Sequence, residues 1–128
     1  MFETLGVLRL AGDLARYAGD RQAQLARNVA NADTPGYRAR DLAPFAESLG
    51  AASAPAMRAT RPQHIVSTGG FLDWQTVDAP DAVSPNGNTV SLEDQMLKSA
   101  EVRQSHDLAL AVYGQALSIL RTSIGGGR

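Results

Sequence analysis

Hydrophobic and polar residues repeat with a helical period over the last third of the chain. Leu92, Met96, Ser99, Arg103, His106, Leu110, Tyr113, Leu117, Leu120 and Ile124 follow one another at steps of four and three without a break. That is the a/d spacing of a single stripe along a helix. Ser91 stands where an N-cap belongs, with Glu93 and Asp94 in the first turn near the positive end of the helix dipole. Gly125 to Gly127 stop the pattern. The first third carries a matching stripe of Leu8, Ala11, Ala15, Ala18, Gln22, Leu25, Val29 and Ala32, which predicts a helix over Thr4 to Asn31. Val7, Leu10, Leu14 and Tyr17 add a second apolar row beside its first half, so this half has a face wider than one partner helix covers. Gly6, Gly12 and Gly19 each weaken the isolated helix by up to ~1 kcal/mol against alanine. Such a helix needs partners to form.

Antiparallel pairing from the inner ends sets Val29 against Leu92, Leu25 against Met96 and Gln22 against Ser99. It then sets Ala18 against Arg103, Ala15 against His106, Ala11 against Leu110 and Leu8 against Tyr113. Leu117, Leu120 and Ile124 overshoot the first helix in this register. The expected fold class is mainly α, with long N- and C-terminal helices forming an antiparallel coiled-coil-like hairpin and an irregular middle segment containing short β-strands. In domain terms, residues 1–37 and 88–128 form one helical domain, and 38–87 form the irregular segment.

The first helix runs into Asn28, Val29, Ala30, Asn31, Ala32, Asp33, Thr34, Pro35, Gly36 and Tyr37. Pro35 presets φ for the second position of a turn, and Gly36 supplies the positive φ that a type II turn needs next. Thr34, before proline, is pushed towards extended geometry, so the helix stops by Asp33. Asn28 and Asn31 lie three apart on one face, where their amides can bond freed carbonyls or turn amides.

Periodicity is lost after the turn. Asp41 is a candidate cap for a short helical turn placing Leu42, Phe45 and Leu49 together, with Gly50 ending it. Gly50 to Ala56 reads as linker. Met57 to Thr60 and Trp74 to Val77 are candidate strands. Arg61, Pro62, Gln63 and His64 read as a turn, Gly69-Gly70 as another, and Asp78 to Asn88 as a flexible loop.

Composition narrows the function classes. The chain has 128 residues, room for one domain of ordinary size, and its apolar share of 44% owes more to alanine than to its few aromatic residues. That suits close helix packing. Twelve basic and thirteen acidic residues are interspersed to a net charge of −1, so no nucleic-acid footprint is present. The absence of cysteine removes disulfides, thiolate catalysis and cysteine-based metal sites. His64 and His106 are the only histidines, too few to suggest zinc; His106 reads as a polar group that fixes register. No Gly-x-Ser-x-Gly elbow occurs, and neither glycine cluster is followed by Lys-Ser/Thr, so neither a serine nucleophile nor a phosphate loop is indicated. No cofactor is expected. No run approaches the ~20 apolar residues of a membrane span. Glu3 stands where a signal peptide has its basic region, and Arg9 and Asp13 interrupt the apolar residues. No cleavable secretory signal is expected.

Asn28 and Asn31 around small or aliphatic residues, followed by Thr34, Pro35, Gly36 and Tyr37, resemble the N-terminal signature of flagellar rod and hook proteins. The continuation Arg38, Ala39, Arg40, Asp41 and Leu42, with Phe45 beyond, narrows the resemblance to the FlgB type, a proximal rod subunit of the flagellar basal body. Gly87, Asn88, Thr89 and Val90 are similar to that family too. The resemblance implies a structural subunit that assembles through its terminal helices into a tubular drive shaft. Its partners would be copies of itself, other axial rod subunits, and the export apparatus and base of the basal body. It would lie in the periplasm-spanning rod, reached by type III export. Leu8, Ala11, Leu25, Val29, Leu92, Met96, Leu110, Tyr113, Leu117, Leu120 and Ile124 are then the assembly seam, and Arg38, Arg40 and Asp41 candidates for intersubunit ion pairs. The other reading of the residues is a small helical-hairpin adaptor or export chaperone that binds a partner helix. An enzyme is not expected.

Overall fold

In the computed structural model, residues 2–52 and 74–125 are described. Helix α1 spans Phe2–Ala30, strand β1 Arg40–Leu42, helix α2 Phe45–Ala52, strand β2 Thr76–Asp78 and helix α3 Leu92–Gly125. The chain is mainly helical, and α1 and α3 pack against each other as an antiparallel hairpin. A two-stranded antiparallel sheet lies at the side of α1, with Asp41 opposite Val77. The pairing continues beyond both strands, through Ala43 N–H to Gln75 O at 2.8 Å and Ala79 N–H to Ala39 O at 3.0 Å.

Local chemistry sets the helix limits. Asn31 Nδ2 donates to Arg27 O at 2.8 Å and its backbone N–H closes on Asn28 O at 3.0 Å, tightening the last turn of α1 where orphan carbonyls need partners. At the start of α3, Ser91 Oγ accepts from Asp94 N–H at 3.3 Å, the N-cap bond, with Glu93 and Asp94 in the first turn. The helix ends at Gly125; Gly126 and Gly127 lie outside the described residues.

The inner face of α1 is Ala11, Ala18 and Leu25, one residue per heptad; that of α3 is Gln95, Val102, Ala109 and Ala116. Ala18, Leu25 and Val102 form the apolar cluster between them. Gln22 Nε2 reaches Ser99 Oγ at 2.8 Å, which fixes the register at the pairing read from sequence. The rotation of α3 about its own axis differs, however, by one residue from the stripe of large side chains. Leu92, Met96 and Leu110 do not face α1: Met96 is 72% exposed, and the other two are about half exposed. Two helices approach closely only over small side chains, so the alanines go inward and the bulky groups flank the contact. Val29 is exposed as well, Leu8 half-buried, and Tyr113 at the margin beside Gly12.

A second face of α1 holds the middle segment. Tyr17 packs against Phe45 and Trp74, with ring centroids 5.5 and 5.2 Å away, and its hydroxyl donates to Ala43 O at 3.0 Å. Trp74 Nε1 donates to Asp20 Oδ2 at 2.8 Å. The apolar row containing Tyr17 runs on through Leu14 towards Leu10 and Val7, but the last two are exposed. At this same end of the hairpin, α3 has five residues more than α1, roughly 7 Å of extra helix. Ile124 is 79% exposed there, while Leu117 and Leu120 are half-covered.

Three expectations for the middle segment are corrected. Asp41 lies in β1 and caps nothing; α2 starts after Pro44, whose carbonyl accepts from Glu47 N–H and Ser48 N–H, and it continues past Gly50 to Ala52. The strand near Trp74 is Thr76–Asp78 and pairs with β1, while Met57 to Thr60 and the turns at 61–64 and 69–70 fall outside the described residues. The segment 78–88 is not a loose loop. Asp81 N–H donates to Thr89 O, Ser84 N–H to Asn88 O and Gly87 N–H to Ser84 O, at 2.8 to 3.0 Å.

Candidate functional site

The hairpin leaves α1 through 31–37 and enters α3 through 84–91, and these two loops are hydrogen-bonded to each other. Tyr37 N–H donates to Thr34 O at 3.3 Å with Gly36 at φ +72°, the geometry of a Pro-Gly type II turn. Gly36 N–H then donates to Asn86 O at 3.1 Å, and Thr89 N–H to Tyr37 O at 3.0 Å. Ala39 N–H donates to Thr89 Oγ1 at 2.9 Å. Gly87 has φ +79°, and a Cβ built on it would lie 3.6 Å from Gly36 Cα. The two backbones therefore touch, glycine against glycine, at two positions that both require a left-handed conformation.

Asn88 is the centre of this clasp. Its Nδ2 lies 2.9, 2.8 and 2.8 Å from the carbonyls of Asn31, Ala32 and Thr34. Its two amide hydrogens are shared among the three acceptors. Its Oδ1 accepts from Val90 N–H at 2.8 Å. A single side chain thus bonds three carbonyls of the turn that follows α1 and fixes the segment leading into α3.

Asn28 does the same one turn earlier. Its Oδ1 accepts from Arg40 N–H at 3.2 Å and its Nδ2 donates to Arg40 O at 2.7 Å, so the carboxamide pairs with β1 much as a neighbouring strand would. Nδ2 also reaches Gln95 Oε1 at 2.9 Å, and Tyr37 Oη donates to Asn28 Oδ1 at 3.3 Å. Gln95 Nε2 passes the chain on to Asp81 Oδ2 at 2.9 Å. Asp81 also accepts from Ser91 N–H at 3.2 Å, and its other oxygen from Lys98 Nζ at 3.0 Å. Of the four largest side chains below 2% exposure, three are carboxamides: Asn28, Asn88 and Gln95; the fourth is Leu25. No buried side-chain polar atom among the described residues lacks a partner.

Electrostatics reinforce this arrangement. Burial alone would raise the Asp81 carboxyl, but the Lys98 ammonium, the Ser91 amide and Gln95 outweigh it and hold the group below the usual carboxylate range. Arg21 on α1 clamps Asp41 of β1 in a two-pronged pair at 2.7 and 2.6 Å, and that bond raises the guanidinium above its ordinary value against the opposing effect of burial. Burial also pushes the Tyr17 hydroxyl upward.

The Arg38, Arg40 and Asp41 set is divided accordingly. Asp41 is buried in an intrachain pair with Arg21. Arg40 makes a loose surface pair with Asp78 at 3.6 Å. Arg38 is exposed and has no ion pair among the described residues. His106 is half-buried beside α1, with Nδ1 3.8 Å from Asp107; His64 lies outside the described residues. Sequence reasoning passed over Arg21, Asp81, Gln95 and Lys98. Only Gln95 had a usable signal, its seven-residue spacing to Val102, Ala109 and Ala116.

Two outcomes follow from the clasp. Asn88→Ala takes one donor from each of three carbonyls and the acceptor from the Val90 amide, and should cost about 1–3 kcal/mol in urea unfolding. Asn88→Asp keeps the shape but sets an acceptor against those carbonyls, so it should be no milder. Acid should act through Asp81. As pH falls, the unfolded chain, with an ordinary carboxyl near ~4, takes up its proton first. The stability Asp81 contributes is therefore complete above about pH 4 and is lost as pH drops through its lower folded-state pKa. Urea midpoints measured against pH should converge for the parent and Asp81→Asn as the solution is made more acid.

No family model matches the chain. Curated relatives do. The chain is 35% identical over 121 aligned positions to the flagellar basal body rod protein FlgB of Escherichia coli, covering 84% of this chain and 86% of that one. It is 31% identical over 132 positions to the FlgB of Salmonella typhimurium, covering 94% of each. With the FlgB of Agrobacterium fabrum it shares 30% over 111 positions and 83% of each chain. The similarity thus runs over nearly the whole chain, spanning both loops of the clasp and the helices they join, and the chain belongs to the FlgB family of flagellar basal body rod proteins.

Proposed function

We propose that this chain is a structural subunit of the proximal rod of the flagellar basal body, and that its terminal helices pack with those of neighbouring subunits into the tubular drive shaft. The observation that carries the reading is the free end of the hairpin. Residues 108–120 contain no charged side chain, yet only Ala109 and Ala116 among them are fully buried. A helix that is apolar around its whole circumference belongs in an interior. Leu5, Val7 and Leu10 of α1 are exposed at the same end, as are Leu108, Leu110, Val112, Ile119 and Ile124 of α3. A head-to-tail contact that does not close into a ring yields a helical filament, and it needs a surface that the subunit cannot cover by itself.

In this reading, residues 1–37 and 88–128 are the assembling unit, and residues 38–87 reach neighbouring subunits on the outside. Copies of the same chain and the other axial subunits are the partners, with the export apparatus and base of the basal body at one end. Arg38, exposed beside the clasp, is the remaining candidate for an ion pair between subunits. Torque transmission is then mechanical, and the clasp keeps the two helices of each subunit in register under load.

Leu110→Ser together with Ile124→Ser tests the reading. Both side chains are exposed in the subunit, so unfolding of the free chain should shift by no more than ~0.5 kcal/mol per site. Incorporation into isolated basal bodies, followed by immunoblot, should be lost. Normal incorporation would contradict the proposal, and a defined one-to-one complex with a single partner helix would identify an adaptor instead.

A further inference from the structure

The chain has four asparagines, Asn28, Asn31, Asn86 and Asn88, and only Asn86 is followed by glycine. The backbone nitrogen of the next residue can attack an asparagine side-chain carbonyl, and a Cβ on that residue obstructs the approach. Glycine has no Cβ, whereas Val29, Ala32 and Thr89 follow the other three. Asn86 and Gly87 are both exposed to water. We propose that Asn86-Gly87 is a site of spontaneous deamidation that the closed clasp holds inert and an open clasp releases.

The chemistry needs no enzyme. The Gly87 nitrogen, losing its proton, bonds to Asn86 Cγ; the side-chain nitrogen departs as ammonia, leaving a five-membered succinimide. Water then adds to one of the two ring carbonyls, giving aspartate or isoaspartate. In the clasp, each reacting group is committed elsewhere. Gly87 N–H donates to Ser84 O at 2.8 Å, a bond that must break before the nitrogen can turn to Cγ. Asn86 Oδ1 accepts from Asn88 N–H at 3.0 Å, an Asx turn that fixes the side-chain carbonyl. Gly36 packed against Gly87 restricts rotation of the intervening peptide. The α-carbonyl of Asn86 is itself the acceptor for Gly36 N–H.

Conversion is therefore a one-way event for the clasp. Isoaspartate routes the main chain through the former side chain, adds a methylene to the loop and turns the Asn86 acceptor into a free carboxylate. Gly36 and Gly87 can then no longer meet in the same geometry. A subunit that has waited with its clasp open acquires a lesion that a closed one escapes.

Peptide mapping with an isoaspartate-specific methyltransferase tests this on the full chain at mildly alkaline pH. One sample is kept in guanidinium, and the other in a sulfate buffer that drives helix formation to its circular-dichroism plateau. In guanidinium, Asn86 should convert well ahead of Asn28, Asn31 and Asn88 in the same tube. In the folded sample its rate should fall about tenfold or more, because reaction then waits on local opening. Equal rates at all four asparagines in denaturant would overturn the site. Equal rates at Asn86 in the two samples would overturn its protection by the clasp.

Discussion

The amide of Asn88, bonded to the carbonyls of the turn that follows α1, is the contact on which the rest of the structure depends. A helical hairpin is defined by how its two helices are joined, and here 57 residues separate Asn31 from the side chain that caps it. Without that bond the Thr-Pro-Gly-Tyr turn is only a helix exit. With it, the turn meets Asn86 and Thr89, α3 starts in one place, and Gln22 falls opposite Ser99. Asn28 extends the same logic inward, tying β1 and Gln95 to the last turns of α1. The clasp end is thus specified by directional bonds, each of which leaves a costly unpaired group if its partner is removed.

The distribution of apolar side chains is the counterpart. Carboxamides fill three of the four largest fully buried positions among the described residues, while Leu92, Met96, Leu108, Leu110 and Ile124 stand outside. Full burial of such a side chain would contribute about 1.5–3 kcal/mol, and the subunit leaves most of that unrealised along α3. Hydrogen bonds fix the shape of the clasp end, and the proposed packing against neighbouring subunits would supply the hydrophobic burial that the single chain leaves unmade. The division is spatial as well. The hydrogen-bonded end carries the clasp, the sheet and the Arg21–Asp41 pair, whereas residues 108–120 of α3, without a charged side chain, run towards the free end.

Much of this was legible in the chain. The heptad Ala11, Ala18, Leu25 and the register at Gln22 and Ser99 followed from spacing, and Pro35-Gly36 announced its turn because few residues adopt positive φ. The rotation of α3 did not follow, because counting large apolar residues finds the stickiest stripe, and close approach of two helices selects the smallest. For a self-contained protein those stripes coincide; in this chain they lie one residue apart. Arg21–Asp41 and Asn88 with its three carbonyls were out of reach for another reason. They join segments separated by 20 to 57 residues, and no local pattern marks a polar side chain as buried.

Native-state hydrogen exchange on the dilute chain tests the central claim most directly. Amides near Leu25 and Val102, beside the clasp, should be the best protected, and those of residues 5–10 and 117–124 should exchange nearly as fast as in an open helix. Protection of the free end should appear only when subunits assemble. Uniform protection along both helices in the isolated chain would contradict the account, because the hairpin would then be stable throughout without its neighbours.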